Sequence, residues 1–565
     1  MRTPPLETAV LIVGGGPCGL MLAIELGRCG IPVCLINDKL TTALNPQANA
    51  TQARTMEHYR RLGFVQEVRR LGLPPTFPTD IAYFTRYAGH ELARFSLPSS
   101  KDATQLIKGL GGAWSAAELP HRVSQKFVEP VLLGQAERFE QNQIFFGWRL
   151  LDFSQGEDGV EAEIEQVETG ERRRVRAAYL VGADGPRSTV RTRLGIRYQG
   201  ESGVKRDFMG GRMYAIYVRS ADFYARVPHP PAWMSVTFNP ERRAFMAAVD
   251  GTSEFAFHTQ LHEHEDEASI TDEQAKAMFR AAVGAPVEVE ILSRGPWIAG
   301  HSLVAERLSE GRVFIGGDAA HLFTPAGGLG YNTAVEDAVN LGWKLAAVLK
   351  GQAPPALLDS YDLERRPVAV RNTQYAKRFA DSLGNYRPDP RIEADDAGAA
   401  ALRTEAGRYF YEHGRLEFNI PGVTFGSRYD GSPAIVGDGS APPPDHPSQY
   451  TPSATPGGRP PHVWLEDGRS LFDCFGPGWT LLVLGGDDAA AHAHHVAAQG
   501  LGVALAQVTL PAHAELRALY QADLVLIRPD QIVGWRGGAQ PIEAVRQVWR
   551  QLLGHSQNEA GQAMG

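Results

Sequence analysis

Hydrophobic positions along this chain fall into a few distinct patterns. Val10-Leu-Ile-Val13 is an unbroken apolar run that stops at Gly14-Gly-Gly-Pro-Cys-Gly19, and apolar residues then recur at Leu20, Leu22, Ala23 and Leu26. A short apolar run closed by glycine predicts a buried strand, and the recurrence after it predicts a helix buried along one side. Pro32-Val-Cys-Leu-Ile36 supplies the next strand, and a further helix is expected over Gln52–Leu62. The opening residues 1–75 therefore read as a β-α-β unit followed by a helix.

Residues 76–104, with Phe77, Pro78, Tyr83 and Phe84, read as loop. A helical pattern returns over Leu119–Glu140, and strands are expected at Phe145–Trp148, Val160–Ile164 and Tyr179–Asp184. Between residues 191 and 299 the alternation is strand-like, interrupted by an acidic run and a helix over Thr271–Val283. In Arg212–Arg219 it places Met213, Ala215, Tyr217 and Arg219 on one face, with Arg212, Tyr214 and Ile216 on the other. A strand at Arg312–Ile315 and a long helix over Asn332–Leu349 follow. Residues 430–461 are rich in Pro, Gly, Ser and Asp and read as a linker that wraps or tethers. Beyond it, Trp479–Leu484, a helix near 488–498, Val503–Val508, a hairpin at 523–535 and a helix at 541–553 make a small unit in thioredoxin-like order. The expected class is α/β (α+β overall): a Rossmann-like domain interrupted by an antiparallel-sheet domain, with a thioredoxin-like domain at the C-terminal end.

Composition narrows the function. A chain of 565 residues exceeds one core, and 43% apolar with 21% charged residues is ordinary for a soluble globular protein. The net charge is −8. The densest basic patch, Arg172-Arg-Arg174, follows a turn and reads as a solvated hairpin, so no nucleic-acid partner is expected. Cys18, Cys29, Cys34 and Cys474 are scattered with no C-x-x-C pair, which fits a reducing compartment, and no apolar run is long enough to cross a bilayer. A cytoplasmic protein with no membrane partner is expected. His262–Glu267 and Ala491–His495 read as a loop and a helix face, so no metal is expected.

Three glycine-rich stretches carry the chemistry. In Gly14-x-Gly16-x-x-Gly19, between a strand and a helix, Gly14 permits the tight turn and Gly16 admits a pyrophosphate. Gly19 lets helix and strand pack closely, and the helix N-terminus faces the phosphates. The second stretch, Gly182-Ala-Asp184-Gly-Pro-Arg-Ser188, closes a strand. The third, Gly311-Arg-Val-Phe-Ile-Gly-Gly-Asp318-Ala-Ala-His321, leads into Pro325-Ala-Gly327-Gly328-Leu-Gly330 and Asn332. Asp318 suits a sugar-alcohol hydroxyl, and the glycines after Pro325 let backbone lie against a flat ring. The helix from Asn332 would aim its positive end at that ring.

With these motifs, and with Glu118-Leu-Pro-His-Arg-Val-Ser-Gln125-Lys-Phe-Val-Glu129, Asp337-Ala-Val-Asn-Leu-Gly-Trp-Lys344 and Pro456-Gly-Gly-Arg-Pro-Pro461, the chain resembles the class A FAD-dependent aromatic hydroxylases. The nearest branch is phenol hydroxylase-like, with a thioredoxin-like C-terminal domain. The resemblance implies a discontinuous FAD-binding domain (1–75, 105–190 and 300–395) and a substrate domain (76–104 and 191–299). A helix and linker (396–461), a thioredoxin-like domain (462–555) and a disordered tail (556–565) would complete the chain. It implies that NADPH or NADH reduces FAD, and that dioxygen then forms a flavin hydroperoxide that hydroxylates a phenolic or polycyclic aromatic compound. It also admits a homodimer. Gln125 would contact the flavin, Asp318 the ribityl chain, Asp184 the pyrophosphate and nicotinamide route, and Pro325 the substrate. His301 would meet NAD(P)H from the strand before Asp318. The family usually has Glu at Asn37 and often Arg near Gln47; Asn37 or Asp38 would take the ribose, Gln47 keeps hydrogen bonding without charge, and Arg54 is the compensating cation. These departures predict weaker FAD retention. Tyr217, then Tyr214, are the candidate phenol partners, and Tyr83, Trp233 and Trp297 the cavity aromatics. Epoxidation or Baeyer–Villiger oxidation on the same scaffold, and a non-catalytic flavin- or ligand-binding relative, are the alternative readings.

Overall fold

The structure is a computed structural model that describes residues 4, 6–202, 212–485, 488–511 and 513–555, so the tail at 556–565 lies outside the described residues. An eight-stranded sheet forms its first layer. The main path runs Ser309–Glu310, Val313–Ile315, Arg172–Gly182, Glu7–Val13, Val33–Asn37, Asn142–Phe146, and Trp148–Gly156 and Gly159–Gln166 extend it off this path. The strands from Val313 through Asn142 run parallel. Parallel strands covered on both faces need continuous apolar runs, and Val10, Leu11, Ile12, Cys34, Leu35 and Ile36 are all buried without exposure. Helices Pro17–Arg28 and Leu329–Leu349 pack against one another beside this sheet. The arginine-rich patch sits on the hairpin Gly159–Gln166/Arg172–Gly182, where Arg172 pairs with Glu163 and Glu165 across the strands.

A second sheet has seven strands, in the order Glu290–Ile298, Arg212–Arg219, Glu254–Gln260, Ala244–Ala248, Met234–Thr237, Ile81–Phe84, Glu91–Phe95. Residues 76–104 are thus not loop. Ile81–Phe84 pairs parallel with Met234–Thr237, and Ser100–Leu106 is helical. The apolar and aromatic residues of Ile81–Phe84 suit a strand buried on both faces just inside the sheet edge. The helix Asp272–Val283, capped by Thr271 and Gln274, covers one face of the sheet through Phe279 against Phe255 and Phe257. The other face turns toward the first layer.

The C-terminal sheet has the order Leu505–Leu510, Trp479–Leu484, Leu524–Ile527, Val533–Gly537, with the first pair parallel and the rest antiparallel. This is the thioredoxin-like order. Helices Asp488–Gly500 and Ile542–Leu552 pack together against it. No helix among the described residues is long and apolar enough to cross a membrane.

Candidate active site

The three glycine stretches meet at one edge. Val13 stands beside Gly182, and Gly182 beside Ile315, so Gly14, Ala183 and Gly316 leave adjacent parallel strands at their C-terminal ends. Such an edge is where open α/β sheets bind ligands. Gly14 has φ +118°, and a Cβ there would lie 2.1 Å from the Ala183 carbonyl oxygen; one on Gly19 would lie 2.0 Å from that of Gly14. A Cβ on Gly16 would meet nothing within 4 Å. The first two glycines are therefore required by the protein itself, whereas Gly16 faces open space at the N-cap of helix Pro17–Arg28. That is the room a pyrophosphate needs.

Asp318 lies in a short 3-10 turn, Gly317–Ala319, fixed from behind. The Gly317 amide donates to Asp337 Oδ2 at 3.1 Å, His321 Nε2 bonds the same oxygen at 2.6 Å, and Arg365 Nε donates to Asp337 Oδ1 at 2.9 Å. Burial would raise the Asp337 carboxyl, yet His321 and Arg365 hold it below its ordinary value. Asp318's own carboxylate has no side-chain partner among the described residues and opens to the cleft, while crowding around it raises its carboxyl. It is an acceptor awaiting hydroxyl donors, which fits a ribityl chain. Asp184 is different: its oxygens accept from Ser188 Oγ at 2.5 Å and the Val190 amide at 3.1 Å, so it shapes its own turn. Burial raises its carboxyl.

The loop Pro325–Gly328 is braced on both sides. Gln52 Nε2 donates to the Gly327 carbonyl at 2.8 Å, and the Gly327 amide donates to Glu417 Oε1 at 2.8 Å. Gly328 has φ +64° and caps a helix that begins at Leu329, not at Asn332. The glycine run permits this earlier start. Asn332 consequently lies inside the first turn, where its side chain accepts from the Gln52 amide and donates to the carbonyls of Ala50 and Gly328. It locks the loop that precedes the helix. Gln125 opens helix Gln125–Glu137, later than the expected Leu119, and its Nε2 donates to Glu129 Oε1 at 2.5 Å. Gln52, Glu129 and Glu417 were not singled out from the sequence; only the i,i+4 spacing of Gln125 and Glu129 signals such a pair.

Other expectations need correction. Arg54 is 6% exposed, and its terminal nitrogens donate to Glu57, Gln531 and the carbonyls of Asp530 and Gln531. It ties this region to the C-terminal domain and is not free to face a cofactor. Tyr214 points to the Asp272–Val283 side, donating no bond toward the cleft and accepting one from Arg294, which also pairs with Asp272. Tyr217 does lie on the cleft-facing side, but Lys126 and Glu254 both hold its hydroxyl. His301 precedes the strand Ser302–Ala305 and bonds Ser202 at 3.3 Å. Asn37 accepts from the Gly15 amide at 3.0 Å, so its acceptor oxygen is spent on the glycine loop. Asp38 and Gln47 are exposed.

The cleft-facing side of the second sheet also carries His258, which the sequence reading passed over. Register places it with Ala215 and Phe245. Its ring stacks on Phe245 at 4.7 Å and tilts against Trp297 at 4.7 Å. Nδ1 is buried with no hydrogen-bond partner among the described residues, and burial, opposed by the backbone at Ala256, pushes the imidazole down to about 4, so it is neutral at physiological pH.

Comparisons with known proteins agree with this geometry. A family described as FAD binding domain matches residues 7–376, and one described as aromatic-ring hydroxylase, C-terminal, matches residues 453–556. Phenol 2-monooxygenase of Pseudomonas sp. (strain EST1001) is 30% identical, over 95% of this chain and 90% of that protein. The structure of the rebeccamycin biosynthetic enzyme RebC with reduced flavin superposes with a TM-score of 0.87 at 32% identity, covering 98% of this chain and 100% of the other. Aklavinone-11 hydroxylase, solved with FAD and aklavinone, gives a TM-score of 0.80 at 28% identity over 98% and 100%.

Proposed function

The chain belongs to the FAD-dependent aromatic-ring hydroxylases, and from that premise we propose that it consumes NAD(P)H and dioxygen to hydroxylate a phenolic or polycyclic aromatic compound in the cytoplasm. The observation that carries the reading is Asp318, an uncommitted carboxylate held rigid by Asp337 at the edge where Gly14, Ala183 and Gly316 emerge. When bound, FAD supplies hydride acceptance from NAD(P)H and the activation of dioxygen.

The protein's residues supply the rest. Gly16 and the N-terminus of helix Pro17–Arg28 receive the pyrophosphate, and Asp318 accepts from the ribityl hydroxyls. The N-terminal end of helix Leu329–Leu349 offsets negative charge on the ring system without reorganisation. Asn37 and Asp38 meet the adenosine ribose, with Gln47 alongside, and Gln125 meets the flavin. Asp184 shapes the nicotinamide route past its Ser188-bonded turn, and His301 stands at its rim. Pro325 turns its carbonyl toward the substrate.

On the facing sheet, Phe245, His258 and Trp297 exclude water from the reacting ring. A neutral imidazole there can accept a phenolic proton in a hydrogen bond, the partnership that activates the ring toward an electrophilic oxygen. His258 takes this place because Tyr217 is already occupied by Lys126 and Glu254.

The test is NADPH and NADH oxidation by FAD-reconstituted protein with and without phenols of increasing ring number. Ligand-stimulated oxidation with a product gaining one oxygen atom is expected. A flavin that no ligand allows to be reduced would overturn the enzyme reading in favour of a binding protein.

A further inference from the structure

Arg122 stands in the segment that runs from the Thr51–His121 bridge into helix Gln125–Glu137, and it is 7% exposed. Its guanidinium lies 4.1 Å over the Trp233 ring, which covers one face of the plane. Nη1 is sealed from solvent with no hydrogen-bond partner among the described residues. The carboxylate whose field reaches it, Glu417, is already engaged: one oxygen takes the Gly327 amide at 2.8 Å, and the other lies 2.9 Å from His413 Nε2. Burial lowers the guanidinium to about 10, against the opposing pull of Glu417.

Tyr83 completes the cluster. Its ring is 1% exposed and stacks on Phe410 at 4.9 Å, and its hydroxyl is buried with no partner among the described residues. The same Glu417 acts on it, and burial together with that charge raises its phenol. Arg122 and Tyr83 thus leave an N–H and an O–H uncommitted around the carboxylate that braces the loop Pro325–Gly328. Burying a cation and a hydroxyl with unmade hydrogen bonds is costly, and interiors keep few such groups.

We propose that Arg122 and Tyr83 form a subsite for a carboxylate carried by the aromatic substrate, with Trp233 as its apolar wall. The proposal rests on the hydroxylase reading. A planar monoanion would take Nη1 of the guanidinium with one oxygen and the Tyr83 hydroxyl with the other. A phosphate dianion would demand more donors than these two groups provide, and would set twice the charge of a carboxylate against Glu417.

The test uses FAD-loaded protein and two probes, 3-hydroxy-2-naphthoate and its uncharged counterpart 2-naphthol, titrated by flavin absorbance. The acid is expected to bind about tenfold more tightly or better, the strength of a charge-assisted pair. Arg122→Met should erase that preference while 2-naphthol affinity changes little, Arg122→Lys should retain part of it, and Tyr83→Phe should lose about threefold. If Arg122→Met does not fold, the lysine and phenylalanine variants carry the comparison. Equal affinities in the parent protein, or a preference that survives the variants, would overturn the subsite while 2-naphthol-stimulated NADPH oxidation leaves the hydroxylase reading standing. Failure of both probes to perturb the flavin or stimulate oxidation would sink both.

Discussion

At the residue scale, what matters is which polar groups are already spent. Asp318 is open and Asp184 is not, so Asp318→Ala should yield protein that purifies without yellow colour or bleaches on gel filtration, and full retention of flavin absorbance would remove Asp318 from the site. Asn37 uses its oxygen on the Gly15 amide and can offer the cleft only donors. Asn37→Glu restores an acceptor with charge and should tighten FAD binding by about tenfold, as charged hydrogen bonds do; an unchanged dissociation constant by fluorescence titration would argue otherwise. His258→Phe preserves the stack on Phe245 and Trp297 but deletes the imidazole. It should raise peroxide release per NADPH consumed, whereas Tyr217→Phe should leave that ratio unchanged and cost only ~1 kcal/mol of stability.

At the element scale, short-range pattern was legible and long-range contact was not. Gly14 to Gly19 could be read because the strand–turn–helix unit they shape is local, with Gly19 packed on Gly14 itself, although the Ala183 carbonyl that bars a Cβ at Gly14 comes from a distant strand. Gly14→Ala should prevent that turn from forming, costing ~3 kcal/mol or more with loss of FAD, measurable as a drop in melting temperature. The alternation of Arg212–Arg219 correctly separated Tyr217 from Tyr214, but a period of two cannot say which side another domain will cover. Residues 76–104 hid two strands because Ile81–Phe84 is continuously buried and too short to alternate. The roles of Gln52, Arg54, Arg122 and Glu417 escaped for one shared reason: their partners lie far along the chain, as Gln531 does from Arg54.

At the scale of the whole molecule, buried charge joins the thioredoxin-like domain to the rest. Glu364 accepts from Arg528, Lys344, Asn340 and Ser432, and Glu57 pairs with Arg459 of the linker and with Arg54, which itself reaches Gln531. Glu364→Gln leaves two buried cations short of an anion and should cost ~3–5 kcal/mol in denaturant unfolding. Glu57 is held down to about 2, since Arg459 and Arg54 outweigh the burial that would raise it. Its folded value lies below the unfolded one of about 4.5, so its stabilisation is complete above that pH and drains away as pH falls toward 2. Glu57→Gln should flatten the acid limb of the melting curve; an unaltered slope would contradict this pairing. The strand order of the first sheet also has a consequence in time. Glu7–Val13 is made early but takes Arg172–Gly182 as its neighbour, which in turn takes Val313–Ile315. On the ribosome, the outer edge of Arg172–Gly182 stays uncovered until more than three hundred residues have emerged, so vitamin-derived nucleotide can be captured only late in synthesis, and a shortage of it falls on newly released polypeptide.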